Sequence, residues 1–120
     1  MKIAVTSQGE DLSSPVDPRF GRAINFLIVD TETGTFETLD NNQNLNLPQG
    51  AGIQSAEAVA ASGVEAVLTG NCGPNAFRTL SAADIKVYNN AGGTVAEAVE
   101  KFKAGELIQA ETHDVNGHQV

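Results

Sequence analysis

The sequence predicts an α/β domain on a mixed five-stranded sheet, in the order β-β-β-α-β-α-β-α, and three observations carry that expectation. In the second half, short apolar runs alternate with helical patterns, which requires parallel strands joined by helical crossovers. Near the start, two strand-like runs are joined by a short glycine-bearing turn, which adds an antiparallel hairpin. Finally, 120 residues lie close to the commonest domain size, so the chain supports one core and not two. The composition is 41% hydrophobic, with five Phe, one Tyr and no Trp, so Val, Ile, Leu and Ala must do most of the packing.

Taken in order, Lys2 to Thr6 reads as the first strand. Ser7 to Arg22, with Gly9, Pro15, Pro18 and Gly21, is too irregular for a regular element and is expected as a long loop. Ala23 to Asp30 and Thr35 to Leu39 form the hairpin around Thr31-Glu32-Thr33-Gly34, where Gly34 suits a positive φ. Asn41 to Gly52 is a second polar loop. Ile53, Ala56, Val59 and Ala60 then recur at helical spacing until Gly63. Val64 to Thr69 is a short, mainly apolar run, as expected of a strand covered on both faces. Pro74 fits the first position of a helix, and Ala76, Phe77 and Leu80 make its apolar stripe. Ile85 to Tyr88 is the fifth strand. Thr94 with Glu97 is a capping-box signature, followed by the apolar face of Val95, Ala98, Val99 and Phe102. Residues 1–108 are expected to form the domain, and Gln109 to Val120 a loose tail.

Seven basic against fifteen acidic residues give a net charge of −8, which opposes the phosphates of nucleic acid and anionic lipid. Neither nucleic acid nor membrane is an expected partner. No apolar run reaches signal-peptide or membrane-spanning length, so the expected location is the cytoplasm. The single cysteine, Cys72, excludes an intrachain disulfide and any iron–sulfur cluster held by several thiolates of one chain.

Three segments are candidates for chemistry. Asp17-Pro18-Arg19-Phe20-Gly21-Arg22 offers two guanidinium forks for an anion and a glycine for close backbone approach; the alternative is a solvated loop anchored by one Phe. Gly50-Ala51-Gly52 leads into a helix, whose N-terminal N–H groups favour an anion, although the motif alone is weak and is not a dinucleotide fingerprint. Gly70-Asn71-Cys72-Gly73-Pro74 lies beyond the carboxyl end of a strand, where open α/β sheets tend to bind ligands. There Cys72 is read either as a thiolate favoured by a helix N-terminus, and hence a candidate metal ligand, or as a small buried hydrophobe. The only arginines are Arg19, Arg22 and Arg78, near these loops, so the chain either builds a local anion site against its own acidic background or carries three ordinary surface arginines. His113, Asp114 and His118 lie in the expected tail and are read as incidental. No nucleophile elbow or structured partner for Cys72 points to a hydrolase.

Together, Asp17-x-Arg19-Phe20-Gly21-Arg22-Ala23, Gly50-Ala51-Gly52-Ile53-x-x-Ala56, Thr69-Gly70-x-x-Gly73-Pro74-Asn75-Ala76 and Thr94-Val95-x-Glu97-Ala98 resemble the dinitrogenase iron–molybdenum cofactor biosynthesis family, over residues 2–107. Each segment is weak alone, but four in the right order make the resemblance specific. Asp84 stands where the family pattern has glycine, in a turn remote from these loops. The resemblance implies a ribonuclease H-like fold and a place beside small stand-alone members such as NifX-type carriers. It further implies a non-enzymatic carrier of a preformed anionic cluster containing molybdenum, either a molybdenum–copper sulfide or an iron–molybdenum cofactor precursor. On that reading Arg19, Arg22 and Arg78 supply charge, the N–H groups around Gly50 to Gly52 and Gly73 donate to sulfides, and Cys72 is optional. A regulatory or scaffold module with protein partners in a complex is the second expectation. A nuclease is a distant third, since strand one has no carboxylate to hold a catalytic metal.

Overall fold

The computed structural model describes residues 1–45 and 50–111; His113, Asp114, His118 and the rest of the expected tail from 112 onward lie outside them. Five strands form one sheet: β1 (Lys2–Ser7), β2 (Asn25–Asp30), β3 (Phe36–Asp40), β4 (Ala66–Leu68) and β5 (Lys86–Tyr88). Their spatial order is β3-β2-β1-β4-β5. β1 pairs antiparallel with β2 and parallel with β4, so Val5 faces Leu27 on one side and Leu68 on the other. β2 and β3 are antiparallel, β4 and β5 parallel. The mixed sheet expected from the sequence is therefore present.

Alternation along the strands divides two cores. Ala4, Phe26, Ile28, Val67 and Val87 point to one face, where helices α2 (Ala51–Ala61) and α3 (Pro74–Ala82) bring Ala56, Val59, Ala76 and Leu80. Ile3, Val5, Leu27, Val29, Ala66 and Leu68 point to the other, where α4 (Val95–Lys103) brings Val95, Ala98 and Val99. Helices of nine residues, as α3 and α4 are, do not persist alone in water, so this burial against the sheet holds them.

Two local findings differ from the sequence expectations, and a third adds to one. The second polar loop contains a short helix, α1 (Asn42–Leu45), and α2 begins at Ala51, two residues before the expected Ile53. Both helices are tied to a buried amide, Asn41, which no apolar pattern announces. Gln109 and Ala110, expected in the tail, are held along β5: Gln109 bridges Tyr88 and the Ala110 N–H donates to the Val87 carbonyl at 2.7 Å. This covers one open edge of the sheet. The long loop before β2 has no regular element, as expected, but it is laced down: Asp17 N–H donates to Thr6 O, Gln8 N–H to Pro15 O and Val16 N–H to Gly93 O.

Asp84 adopts φ 64°, the left-handed conformation that glycine takes most readily after a helix. α4 has the expected capping box, with Thr94 Oγ1 accepting from the Glu97 N–H at 3.1 Å and Glu97 Oε1 accepting from the Thr94 N–H at 2.9 Å. Replacing Thr94 by Ala removes one half of this box and is expected to lower the unfolding free energy by about 1 kcal/mol, measured by urea denaturation.

Candidate functional site

At the carboxyl ends of β1 and β4 the chain must bring three separated loops together, and small residues let it do so. A side-chain carbon on Gly70 would lie 2.6 Å from the Pro18 backbone, so only glycine admits the long loop against this turn. The contact is fixed by a backbone bridge between Arg19 and Asn71, with the Phe20 N–H donating to the Asn71 carbonyl at 3.1 Å. A carbon on Gly21 would lie 3.0 Å from Gly52, which sets the same loop against the first turn of α2. Gly52 in turn faces Ala76 of α3.

The result is an open cavity of about 220 Å³ lined by Gly21, Gly50, Gly52, Ile53, Gly73, Pro74, Asn75 and Ala76. It lies below the usual volume of a drug-sized pocket, roughly 300–1,000 Å³, and suits a small compact ligand. Two helix N-termini meet on it. The first N–H groups of a helix have no partner within it and carry the positive end of its dipole. Neither α2 nor α3 has a side-chain cap or an acidic residue in its first turn. α4 is the contrast: besides its capping box, its Val95 and Ala96 N–H groups donate to the carbonyls of Ser14 and Leu12. The fold caps the N-terminus of α4 and leaves the two that meet on the cavity without a side-chain cap, open to an acceptor.

Of the sequence candidates, Gly21, Gly50, Gly52, Gly73 and Pro74 line this cavity. Ala51 is buried in the first turn of α2, and Gly70 and Asn71 form the seam with the long loop. Arg19 and Arg22 flank Gly21. The Arg19 side chain is exposed, and its Nη2 donates to the Arg22 carbonyl at 3.4 Å. Arg78 is one step removed, donating at 2.7 Å to the side chain of Asn75, a lining residue.

Phe20 and Cys72 are placed elsewhere. The Phe20 ring is buried against Phe26, with centroids 5.1 Å apart, so only its backbone belongs to the seam. The Cys72 side chain is fully buried in the same core, and its N–H donates to Asn89 Oδ1 at 3.0 Å. Of the two readings of Cys72, this burial favours the small hydrophobe over the thiolate: desolvation pushes the thiol from an ordinary 9.0 up to about 12. Among the described residues no group of three or more His, Cys, Asp or Glu is arranged to hold a metal ion.

Sequence reasoning missed Asn41, read only as part of a polar loop. It is fully buried and uses both ends of its amide. Nδ2 donates to the carbonyls of Ala23 at 2.8 Å and Gly21 at 3.4 Å; Oδ1 accepts from Asn44 at 2.9 Å and Ser55 at 3.1 Å. One side chain thus holds the Gly21 wall, α1 and α2 in register. Its signal in sequence was only an Asn after a strand, too common to notice.

The fold and site define a small α/β protein whose cavity lies beyond the carboxyl ends of parallel strands, floored by glycine backbone and helix N-termini. The chain belongs to the dinitrogenase iron-molybdenum cofactor family, whose sequence model it matches over residues 1–105. It is similar to the apo form of the orange protein of Desulfovibrio gigas, at 45% identity and a TM-score of 0.91 over 94% of this chain and 95% of that one. A Thermotoga protein solved by NMR is 41% identical, with a TM-score of 0.82 over 97% and 98% of the two chains. A protein of Methanocaldococcus jannaschii is 33% identical over 113 residues, 92% of each chain.

Three outcomes follow from these contacts. Asn41→Ala removes the side-chain donor to the Ala23 carbonyl, leaves the Gly21 carbonyl only the Ser55 hydroxyl at 3.4 Å, and should destabilise the protein by about 2–4 kcal/mol in urea denaturation. Cys72 should be alkylated slowly by iodoacetamide at pH 8 in the folded protein and rapidly in denaturant. Because its pKa is raised by folding, this group's contribution is complete below 9.0 and is lost as pH rises through about 12, so stability should fall in that window.

Proposed function

We propose that the chain binds a preformed anionic metal–sulfur cluster containing molybdenum, without catalysing a reaction, and holds it by backbone donors and arginines instead of thiolate ligation. The carrying observation is the meeting of two uncapped helix N-termini on one small cavity, in a protein whose single thiol is buried in the core. A sulfide-rich cluster presents negatively charged acceptors on its surface, and N–H groups at helix ends match them. Family membership and the likeness to the orange protein support a molybdenum-containing cluster; our reading of it is a molybdenum–copper sulfide or an iron–molybdenum cofactor precursor.

Gly50 to Gly52 and Gly73 to Pro74 form the floor in this reading, with Gly21 as the wall. Pro74 has no N–H of its own, so the α3 donors are those of Gly73, Asn75 and Ala76. Arg19 and Arg22 supply positive charge beside the wall, Arg78 supplies it behind Asn75, and Asn71 and Gly70 hold the loop in place. The sheet order, with one antiparallel hairpin added to three parallel strands, supports the ribonuclease H-like grouping.

Protein mixed anaerobically with tetrathiomolybdate and Cu(I), or with Fe(II), should acquire charge-transfer absorption that co-elutes with it on gel filtration. Colourless protein under all of these conditions rejects the proposal. Replacing Arg19 and Arg22 together by Met should weaken binding about tenfold or more. Cys72→Ser should retain most binding, and its complete loss in a folded Cys72→Ser protein would assign the ligand to the thiolate.

A further inference from the structure

Asp17 is fully buried, yet only one of its carboxylate oxygens is engaged. Oδ1 accepts from the Arg19 N–H at 3.0 Å and lies 3.5 Å from Arg19 Nε. Oδ2 lies in the interior with no hydrogen-bond partner. A buried carboxylate with half of its acceptor capacity unfilled is costly. The turn that Oδ1 makes with the Arg19 N–H would be served as well by the neutral amide of Asn. What Asn would not supply is the negative charge, placed two residues before an arginine in the loop that forms the wall of the cavity.

The two partners are also unequal. The Arg19 side chain is 64% exposed and Asp17 is 1% exposed, so the guanidinium can turn away while the carboxylate cannot follow. We infer that Asp17 is an internal counter-anion that sets the affinity of the cavity: it occupies Arg19 when the cavity is empty and competes with an incoming anion for the same guanidinium. This rests on the anionic-ligand reading above and adds a direction to it. A ligand gains Arg19 only by outcompeting a fixed carboxylate, so compact anions of high charge are favoured over singly charged ones, and the return of Arg19 to Asp17 aids release.

The test is a double-mutant cycle on the full chain, with tetrathiomolybdate as the probe and calorimetry as the readout. Asp17→Asn should bind about two- to fivefold more tightly than the unsubstituted protein, the effect of freeing one solvent-exposed guanidinium from a charged partner. In an Arg19→Met background the same substitution should change nothing. In the unloaded protein, Asp17→Asn should also shift the Arg19 Nε–Hε resonance. Equal or weaker binding by Asp17→Asn overturns the inference, and so does equal tightening in the Arg19→Met background, which would reflect only the loss of a nearby negative charge. If Asp17→Asn does not fold by far-ultraviolet circular dichroism, Asp17→Ser, which keeps a short acceptor without charge, carries the same expectations. Absence of binding by the unsubstituted protein, with tetrathiomolybdate alone and with Cu(I) or Fe(II) added, overturns the anionic-ligand reading and this inference together; binding with no effect of Asp17 overturns this inference alone.

Discussion

The hydroxyl of Thr6, at the carboxyl end of the central strand, donates to the Asp17 carbonyl at 2.7 Å and lies 3.0 Å from the Thr69 hydroxyl. Its one proton is shared between these two acceptors, the Asp17 carbonyl being the nearer. The Asp17 N–H returns to the Thr6 carbonyl at 2.9 Å. All three residues are fully buried, so no water competes for these bonds. Through them the long loop is fixed over the ends of β1 and β4, and everything beyond inherits its position: Pro18 against Gly70, Phe20 on Asn71, and Gly21 against Gly52.

From that anchor, the cavity is made by leaving things out. Glycine and alanine at the seams let three backbones approach within contact distance, and the helices entering there have no caps of their own. Buried amides do the holding that side-chain volume would do elsewhere. Asn41 fixes the wall to α1 and α2, while Asn89 accepts the Cys72 N–H under the turn. In a chain of net charge −8, the cavity is thus lined by the starts of two helices, whose backbone dipoles present their positive ends there.

The sequence made the sheet and its helices legible because each has a strong local signal. The apolar run Ala66–Leu68, the Thr94–Glu97 box and Pro74 at a helix start all express backbone physics directly. The glycine segments were also visible, though the spacing between them did not say that Gly21 would rest on Gly52 from another part of the chain. Asn41 was illegible because its meaning lies entirely in tertiary partners far along the chain. Cys72 was ambiguous for a related reason: helix dipole and burial oppose one another, and only the packed structure shows that burial wins. The pairing of residues 109–110 with β5 likewise depends on an open strand edge that does not exist until the sheet has formed.

The burial of Cys72 has one more consequence. It is the chain's only cysteine, and its sulfur is sealed beneath the loops that surround the cavity. Two copies cannot become linked through it without unfolding, and an oxidant or a labile sulfide in the cavity meets no protein thiol with which to exchange. The mouth of the cavity is thus chemically indifferent to the redox state around it, a property that more thiolates, or one better exposed, would have forfeited.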